Sequence, residues 1–136
     1  MPREKLERLT ILVVDGDALH RESMRHVLRS SGYRVLEASD FRGALNTHQQ
    51  HPGQIDLLLT ALALPGGNGY ELSKALLDIE SHIKVLFVSG EAGAKVSEFY
   101  AMQHMDTCPL RRPFTSAELL ERIKDVLGSS RSSASA

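Results

Sequence analysis

Short runs of consecutive apolar residues alternate along this chain with longer segments in which apolar residues recur every three or four positions. The short runs predict strands buried on both faces of a sheet, and the longer segments predict amphipathic helices. The predicted strands are 9–14, 34–38, 55–62, 84–89 and 107–112. The predicted helices are 18–30, 41–50, 69–79, 94–105 and 116–127, with Asp17 as N-cap of the first and Thr115 and Glu118 as a capping box at the last.

This alternation predicts an α/β fold. Repeated strand–helix units with right-handed crossovers form a parallel sheet that is covered by helices on both faces. For five strands the common doubly wound order is 2-1-3-4-5, with five helices. We expect an N-terminal extension at 1–8, one domain at 9–128 and a disordered Ser/Ala-rich tail at 129–136.

Four residues lie at or just after the carboxyl ends of predicted strands, on the side where parallel strands end. In such a sheet, the loops after Asp15, Ala61, Ser89 and Arg112 converge at the carboxyl edge, in the crevice between the first and third strands. The pattern therefore predicts where a site would lie, and it leaves the chemistry of that site open.

Composition narrows the class of protein further. The 136 residues are 42% hydrophobic and 24% charged with a formal net charge of -1, which is typical of a soluble globular domain and gives no basic excess for nucleic acid. The apolar runs are too short to span a membrane, and the first residues lack the apolar core of a signal peptide, so we expect a cytoplasmic protein. The single cysteine, Cys108, is interpreted as a structural thiol.

Four short motifs occur in an order and spacing that is specific in combination. They are Val13-Val14-Asp15, Pro65 with Gly69, Val88-Ser89-Gly90 and Arg112-Pro113-Phe114. From residue 9 to residue 127 the chain resembles the receiver domain of bacterial two-component response regulators. The resemblance implies a CheY-like, flavodoxin-like fold and a role in phosphorelay signal transduction.

Carried over position by position, the resemblance implies a degenerate site. The phosphoacceptor aspartate corresponds to Ala61, and the acidic pair after the first strand corresponds to Asp15 and Gly16. The phosphate-contacting hydroxyl and lysine correspond to Ser89 and Arg112, and the switch aromatic corresponds to Pro109. Because alanine has no nucleophilic oxygen, we expect a pseudo-receiver with no catalytic residue, no enzymatic activity and no cofactor.

Metal binding is not expected at this site. Mg²⁺ prefers octahedral oxygen ligands, and Asp15 is the one side-chain carboxylate left there. We expect Asp15 to form a partly buried ion pair with Arg112, with a ligand role as the alternative. His48 and His51 are interpreted as solvated surface histidines, with metal ligation as the alternative.

The leading functional hypothesis is a phosphorylation-independent signalling module that acts through protein–protein contacts. The expected partners are a histidine kinase, a phosphotransfer protein or an output domain, bound by the face of the fourth helix, fifth strand and fifth helix.

A second hypothesis is a sensor of a small anion or nucleotide. Removing carboxylates at 16 and 61 leaves Arg112 and Ser89 in a crevice that is more hospitable to anions. A third hypothesis, phosphorylation on Ser89 or a histidine, lacks an activating base or metal.

Overall fold

The computed structural model describes residues 9–89 and 109–135. Their strands are β1 (Thr10–Val14), β2 (Arg34–Ala38), β3 (Leu57–Ala61), β4 (Ala63–Leu64), β5 (Gly67–Asn68), β6 (Lys84–Ser89) and β7 (Leu110–Arg111). Their helices are α1 (Ala18–Ser30), α2 (Phe41–Gln50), α3 (Gly69–Ile79) and α4 (Ser116–Ser135). The predicted helix at 94–105 lies outside the described residues.

The main sheet has five parallel strands, which confirms the predicted α/β, flavodoxin-like class. Its order is β2-β1-β3-β6-β7. The predicted order 2-1-3-4-5 needs correction in its numbering, because it assumed five strands in the chain, and four of the five predicted helices lie in the described residues. The described residues contain seven strands and four helices, and the antiparallel pair β4–β5 takes no place in the main sheet. This pair was missed because two-residue strands carry no periodicity.

Apolar residues of the sheet pack into two cores, one on each face. One core contains Met24 and Leu28 of α1 with Leu119 and Ile123 of α4. The other contains Ala44 of α2 with Leu72 and Leu76 of α3. β1 and β3 are buried along their whole length between these layers, which explains why their sequences read as unbroken apolar runs.

Helix starts follow the capping chemistry that the sequence indicates. Asp17 accepts hydrogen bonds from the amides of Leu19 and His20, which confirms the predicted N-cap of α1. Thr115 and Glu118 form the predicted reciprocal capping box, with N–O distances of 2.8 and 3.0 Å.

The end of α4 differs from the prediction. The helix continues through Gly128 to Ser135, where the sequence predicted a stop at 127 and a disordered tail. Gly32, Gly53 and Gly66 have positive φ among the described glycines, and Gly128 does not. A glycine that keeps helical backbone angles lowers helix stability without ending the helix. Within the described residues, no helix is both long and apolar enough to cross a membrane.

Candidate functional site at the carboxyl edge of the sheet

Strand pairing brings the four predicted site residues to one edge. Val14 pairs with Thr60, so Asp15 and Ala61 follow on neighbouring strands, and Ser89 of β6 pairs with Arg111 of β7. The Arg112 amide also donates to the Ser89 carbonyl at 3.1 Å. The residues predicted to surround the crevice therefore lie at one edge of the sheet, from β1 and β3 across β6 to β7.

An ion pair between Asp15 and Arg112 crosses this crevice. An Arg112 guanidinium nitrogen lies 2.6 Å from Asp15 Oδ2, and the two side chains are only 14% and 6% exposed. Asp15 Oδ1 accepts a hydrogen bond from the Asp17 amide at 2.8 Å. The predicted Asp15–Arg112 ion pair is thus present, and the second carboxylate oxygen of Asp15 is engaged as well, by a backbone donor of this chain.

Two residues of α1 complete the surroundings of Asp15. Arg21 donates to the Asp15 backbone carbonyl at 2.7 Å, and His20 Nδ1 lies 4.0 Å from Asp15 Oδ2. The backbone hydrogen bond from His20 lowers the pKa of the Asp17 carboxyl group, although its partial desolvation opposes this. Asp17 therefore serves the helix N-terminus and does not replace the acid missing at residue 16.

Gly16 lies directly under the ring of Pro65. A Cβ atom placed on Gly16 would lie 3.0 Å from Pro65 Cδ and 3.2 Å from Cγ, so a side chain here requires the proline to move by a few tenths of an ångström. The Phe41 amide donates to the Pro65 carbonyl at 3.2 Å and ties the proline to the start of α2. The sequence shows that residue 16 has no carboxylate, and the structure shows that Pro65 crowds the position of a Cβ atom there.

Ala61, which the sequence analysis aligned with the phosphoacceptor, contributes only a methyl group at the end of β3. Ala61 is 7% exposed and belongs to the core on the α2–α3 face of the sheet. A Cβ atom on Gly69 would collide with the Ala61 carbonyl oxygen, so glycine is required where α3 begins next to the end of β3. This part of the site offers no nucleophile for group transfer.

Ser89 is the candidate site residue whose buried polar group lacks a hydrogen-bond partner among the described residues. It is 1% exposed, and its hydroxyl oxygen has no hydrogen-bond partner among the described residues. A buried hydroxyl without a partner is costly and requires an explanation. Pro109, which the sequence analysis aligned with the switch aromatic, is half-buried immediately before β7 and has no aromatic ring.

The donor set does not fit the Mg²⁺ that receivers use. Across 9–89 and 109–135, no three His, Cys, Asp or Glu side chains are grouped so as to hold a metal ion. Asp15 is the one carboxylate of the crevice identified above, and its oxygens are bound to Arg112 and to the Asp17 amide. We therefore derive no step through a metal at this site.

The interpretation of His48 as a solvated histidine is wrong. His48 is 3% exposed, and its Nε2 lies 2.8 Å from Glu80 Oε1 at the opposite end of the sheet. Its Nδ1 has no partner within the described part of the chain. His51 is half-buried, with Nδ1 3.0 Å from the Thr47 carbonyl oxygen. Because Glu80 is 32 positions away in sequence, no local pattern could reveal the pair.

With the fold and crevice established, comparisons with known proteins define the class. Residues 11–124 match the family model of the response regulator receiver domain. The chain belongs to this family, and receiver domains function in two-component signalling with histidine kinases or output domains.

Individual relatives agree with this assignment. The chain is 34% identical over 128 residues to the phosphate regulon transcriptional regulatory protein PhoB of Pseudomonas aeruginosa, covering 87% of this chain and 51% of PhoB. It is 30% identical over 119 residues to the sensor histidine kinase RcsC of Escherichia coli, covering 88% of this chain and 12% of RcsC. The chain thus spans about half the length of PhoB and a small part of RcsC.

Solved structures show the same fold. A receiver domain protein from Clostridium thermocellum has a TM-score of 0.79 at 24% identity, with 90% of this chain and 97% of that chain covered. A putative response regulator from Chloroflexus aurantiacus has a TM-score of 0.74 at 29% identity, with 90% and 99% covered.

Proposed function

We propose that this chain is a pseudo-receiver, a signalling module that works through protein–protein contacts without being phosphorylated. The observation that carries the proposal is the Asp15–Arg112 ion pair in a crevice where Ala61 replaces the nucleophile. A receiver must free its acidic pocket for a metal before phosphoryl transfer. Here the surviving acid is already neutralised by an internal cation.

The state of the crevice supports one fixed conformation. Pro65 crowds the Cβ position of Gly16. The ion pair between Arg112 and Asp15 ties the loop after β1 to the loop after β7. Pro109 offers no aromatic side chain that could respond to an event at Ser89. We propose that the partner reads this single conformation constitutively and that the chain is not an enzyme.

The proposed partner is a histidine kinase, a phosphotransfer protein or an output domain. Of the predicted docking face, β7 and α4 lie within the described residues, and the predicted helix at 94–105 does not. A cytoplasmic location remains part of this proposal.

Mass spectrometry after incubation with acetyl phosphate and Mg²⁺ tests the proposal. The wild-type mass should stay unchanged, because neither a nucleophile nor a metal site is available. The matched control is the triple variant Gly16→Asp/Ala61→Asp/Arg112→Lys, which rebuilds both carboxylates and the compact ammonium group. A phosphoryl adduct on the wild-type chain would overturn the proposal and direct attention to Ser89.

The small-anion or nucleotide sensor is the second candidate function. The buried Ser89 hydroxyl without a partner among the described residues favours it, because an anion could accept that hydrogen bond. The engagement of Arg112 by Asp15 weighs against it, since the cation that would attract the anion is already neutralised. Thermal shifts with phosphate, ATP and GTP test it. A shift that Ser89→Ala abolishes would favour the sensor.

A further inference from the structure

The basic residues of the described chain are concentrated around α1 and the start of β2. Between residues 18 and 34 there is one acidic residue, Glu22, and there are four arginines: Arg21, Arg25, Arg29 and Arg34. The formal charge of the whole chain is -1, so this positive charge is local and is offset elsewhere. A concentration of this kind points to an acidic partner at one surface.

The four arginines differ in whether a carboxylate already neutralises them. Arg21 and Arg25 pair with Glu37 of β2 at 3.3 and 2.9 Å. Arg34 donates to the uncharged side chain of Gln54 at 3.3 Å. Across 9–89 and 109–135, no carboxylate forms an ion pair with Arg29 or Arg34, so these two carry the uncompensated charge.

These two arginines line one surface groove. The groove has a volume of about 400 Å³, and its lining is Arg29, Gly32, Tyr33, Arg34 and Val35. We call it the α1–β2 groove. Gly32 has φ +95, and the space where its Cβ would lie is open within 4 Å, so the turn leaves room above the groove floor.

Backbone geometry holds the groove in place. The amides of Gly32 and Tyr33 donate to the carbonyls of Arg29 and Leu28 at 3.0 and 3.1 Å, which closes the end of α1. Tyr33 is half-buried and packs against the core on the α1–α4 face. The floor is therefore rigid and partly apolar, while the walls carry two exposed arginines, of which Arg34 holds only an exposed hydrogen bond to Gln54 that a ligand can replace.

The geometry points to the α1–β2 groove as a docking site for an acidic segment of a partner protein. Guanidinium groups bind carboxylates in bidentate fashion, and the half-buried Tyr33 and buried Val35 fit the methylene groups of Glu side chains. The groove lies at the amino end of the sheet, away from the crevice. This inference rests on the proposed function only in choosing a protein as the ligand.

An NMR titration of the ¹⁵N-labelled chain with a hexaglutamate peptide tests the inference, with hexaglutamine as the uncharged control. Amide shifts should concentrate at residues 29–35, saturate, and weaken as salt is raised. The variant Arg29→Gln/Arg34→Gln should weaken binding by about tenfold or more, because both charge-assisted contacts are lost. The charge-matched control Arg42→Gln/Lys124→Gln removes two exposed cations elsewhere and should leave binding unchanged.

Three outcomes would overturn the inference. The control variant could weaken binding as much as the groove variant, which would mean that only net charge matters. The shifts could scatter over the whole surface. Inorganic phosphate could displace the peptide from residues 29–35 and bind more tightly, which would make the groove a phosphate site. None of these results depends on whether acetyl phosphate modifies the chain, so the proposed function fails or survives separately.

Discussion

The two ends of the parallel sheet each hold a partly buried carboxylate beside a nitrogen-bearing side chain, Asp15 with Arg112 and Glu80 with His48, and the two pairs differ in how fully they are hydrogen-bonded. At the carboxyl edge, Asp15 uses one oxygen for Arg112 at 2.6 Å and the other for the Asp17 amide at 2.8 Å. At the amino end, His48 contacts Glu80 at 2.8 Å, while its second ring nitrogen has no partner in the described residues.

Under the proposed function, this difference separates a pair at the former reaction site from a pair elsewhere in the fold. The Asp15–Arg112 pair gives each carboxylate oxygen of Asp15 one donor, at the position that we propose corresponds to the acidic pocket of the family. The His48–Glu80 pair joins the last turn of α2 to the end of α3 and has no counterpart in that chemistry. A buried group that lacks a partner lowers the net stabilisation from its pair.

The largest expected effect comes from removing the cation at the carboxyl edge. Arg112→Met should lower the free energy of unfolding by about 3–5 kcal/mol, because Asp15 would remain buried and uncompensated. Urea denaturation measures the loss, and adding Asp15→Asn to Arg112→Met should recover part of it. The control is Arg42→Gln, which changes an exposed arginine of α2. Equal losses in Arg112→Met and this control would mean that the ion pair contributes no stability.

Removing the histidine at the amino end should cost less. His48→Ala should lower the free energy of unfolding by about 2 kcal/mol, since it opens a cavity but strands a carboxylate that water can partly reach. His48→Gln keeps a donor for Glu80 and should cost less than His48→Ala. If His48→Ala lowers the free energy of unfolding more than Arg112→Met does, the amino end of the sheet contributes more stability than the carboxyl edge, contrary to this prediction.

Lowering the pH should reduce the free energy of unfolding, because Glu80 at the amino end of the sheet becomes protonated. The hydrogen bond from His48 holds the pKa of Glu80 below its usual 4.5 in the folded chain, although desolvation partly opposes this. The unfolded chain therefore binds the proton first. The stabilisation is present above pH 4.5 and is lost as the pH falls through the folded value. Urea melts between pH 3 and pH 7 should show a shallower acid slope for Glu80→Gln than for wild type, with exposed Glu121→Gln as the control.

The smallest expected effect comes from the C-terminal residues. Truncation after Gly128 removes a segment with no apolar side chain larger than alanine, so stability should change by less than about 0.5 kcal/mol. Denaturant midpoints of the full and truncated chains compare the two directly. A loss of several kcal/mol in the free energy of unfolding would show that α4 depends on its last turns for stability.

Several features of this protein were determined by local sequence. Unbroken apolar runs indicated β1 and β3 because strands buried on both faces need no polar side. Asp17, and Thr115 with Glu118, marked helix starts because capping acts over two or three residues. The motif order placed Asp15, Ala61, Ser89 and Arg112 at one edge, since parallel strands all end on the same side.

Tertiary structure alone decided the rest, because the contacts involved join residues far apart in the chain. Asp15 and Arg112 are 97 positions apart, and the sequence could suggest their pair but could not show that both oxygens of Asp15 are engaged. Pro65 crowds the Cβ position of Gly16, and the buried His48 contacts Glu80, through contacts that carry no periodic signal. The alanine at position 61 can be read from the sequence, whereas the crowding of Gly16 by Pro65 depends on packing in three dimensions.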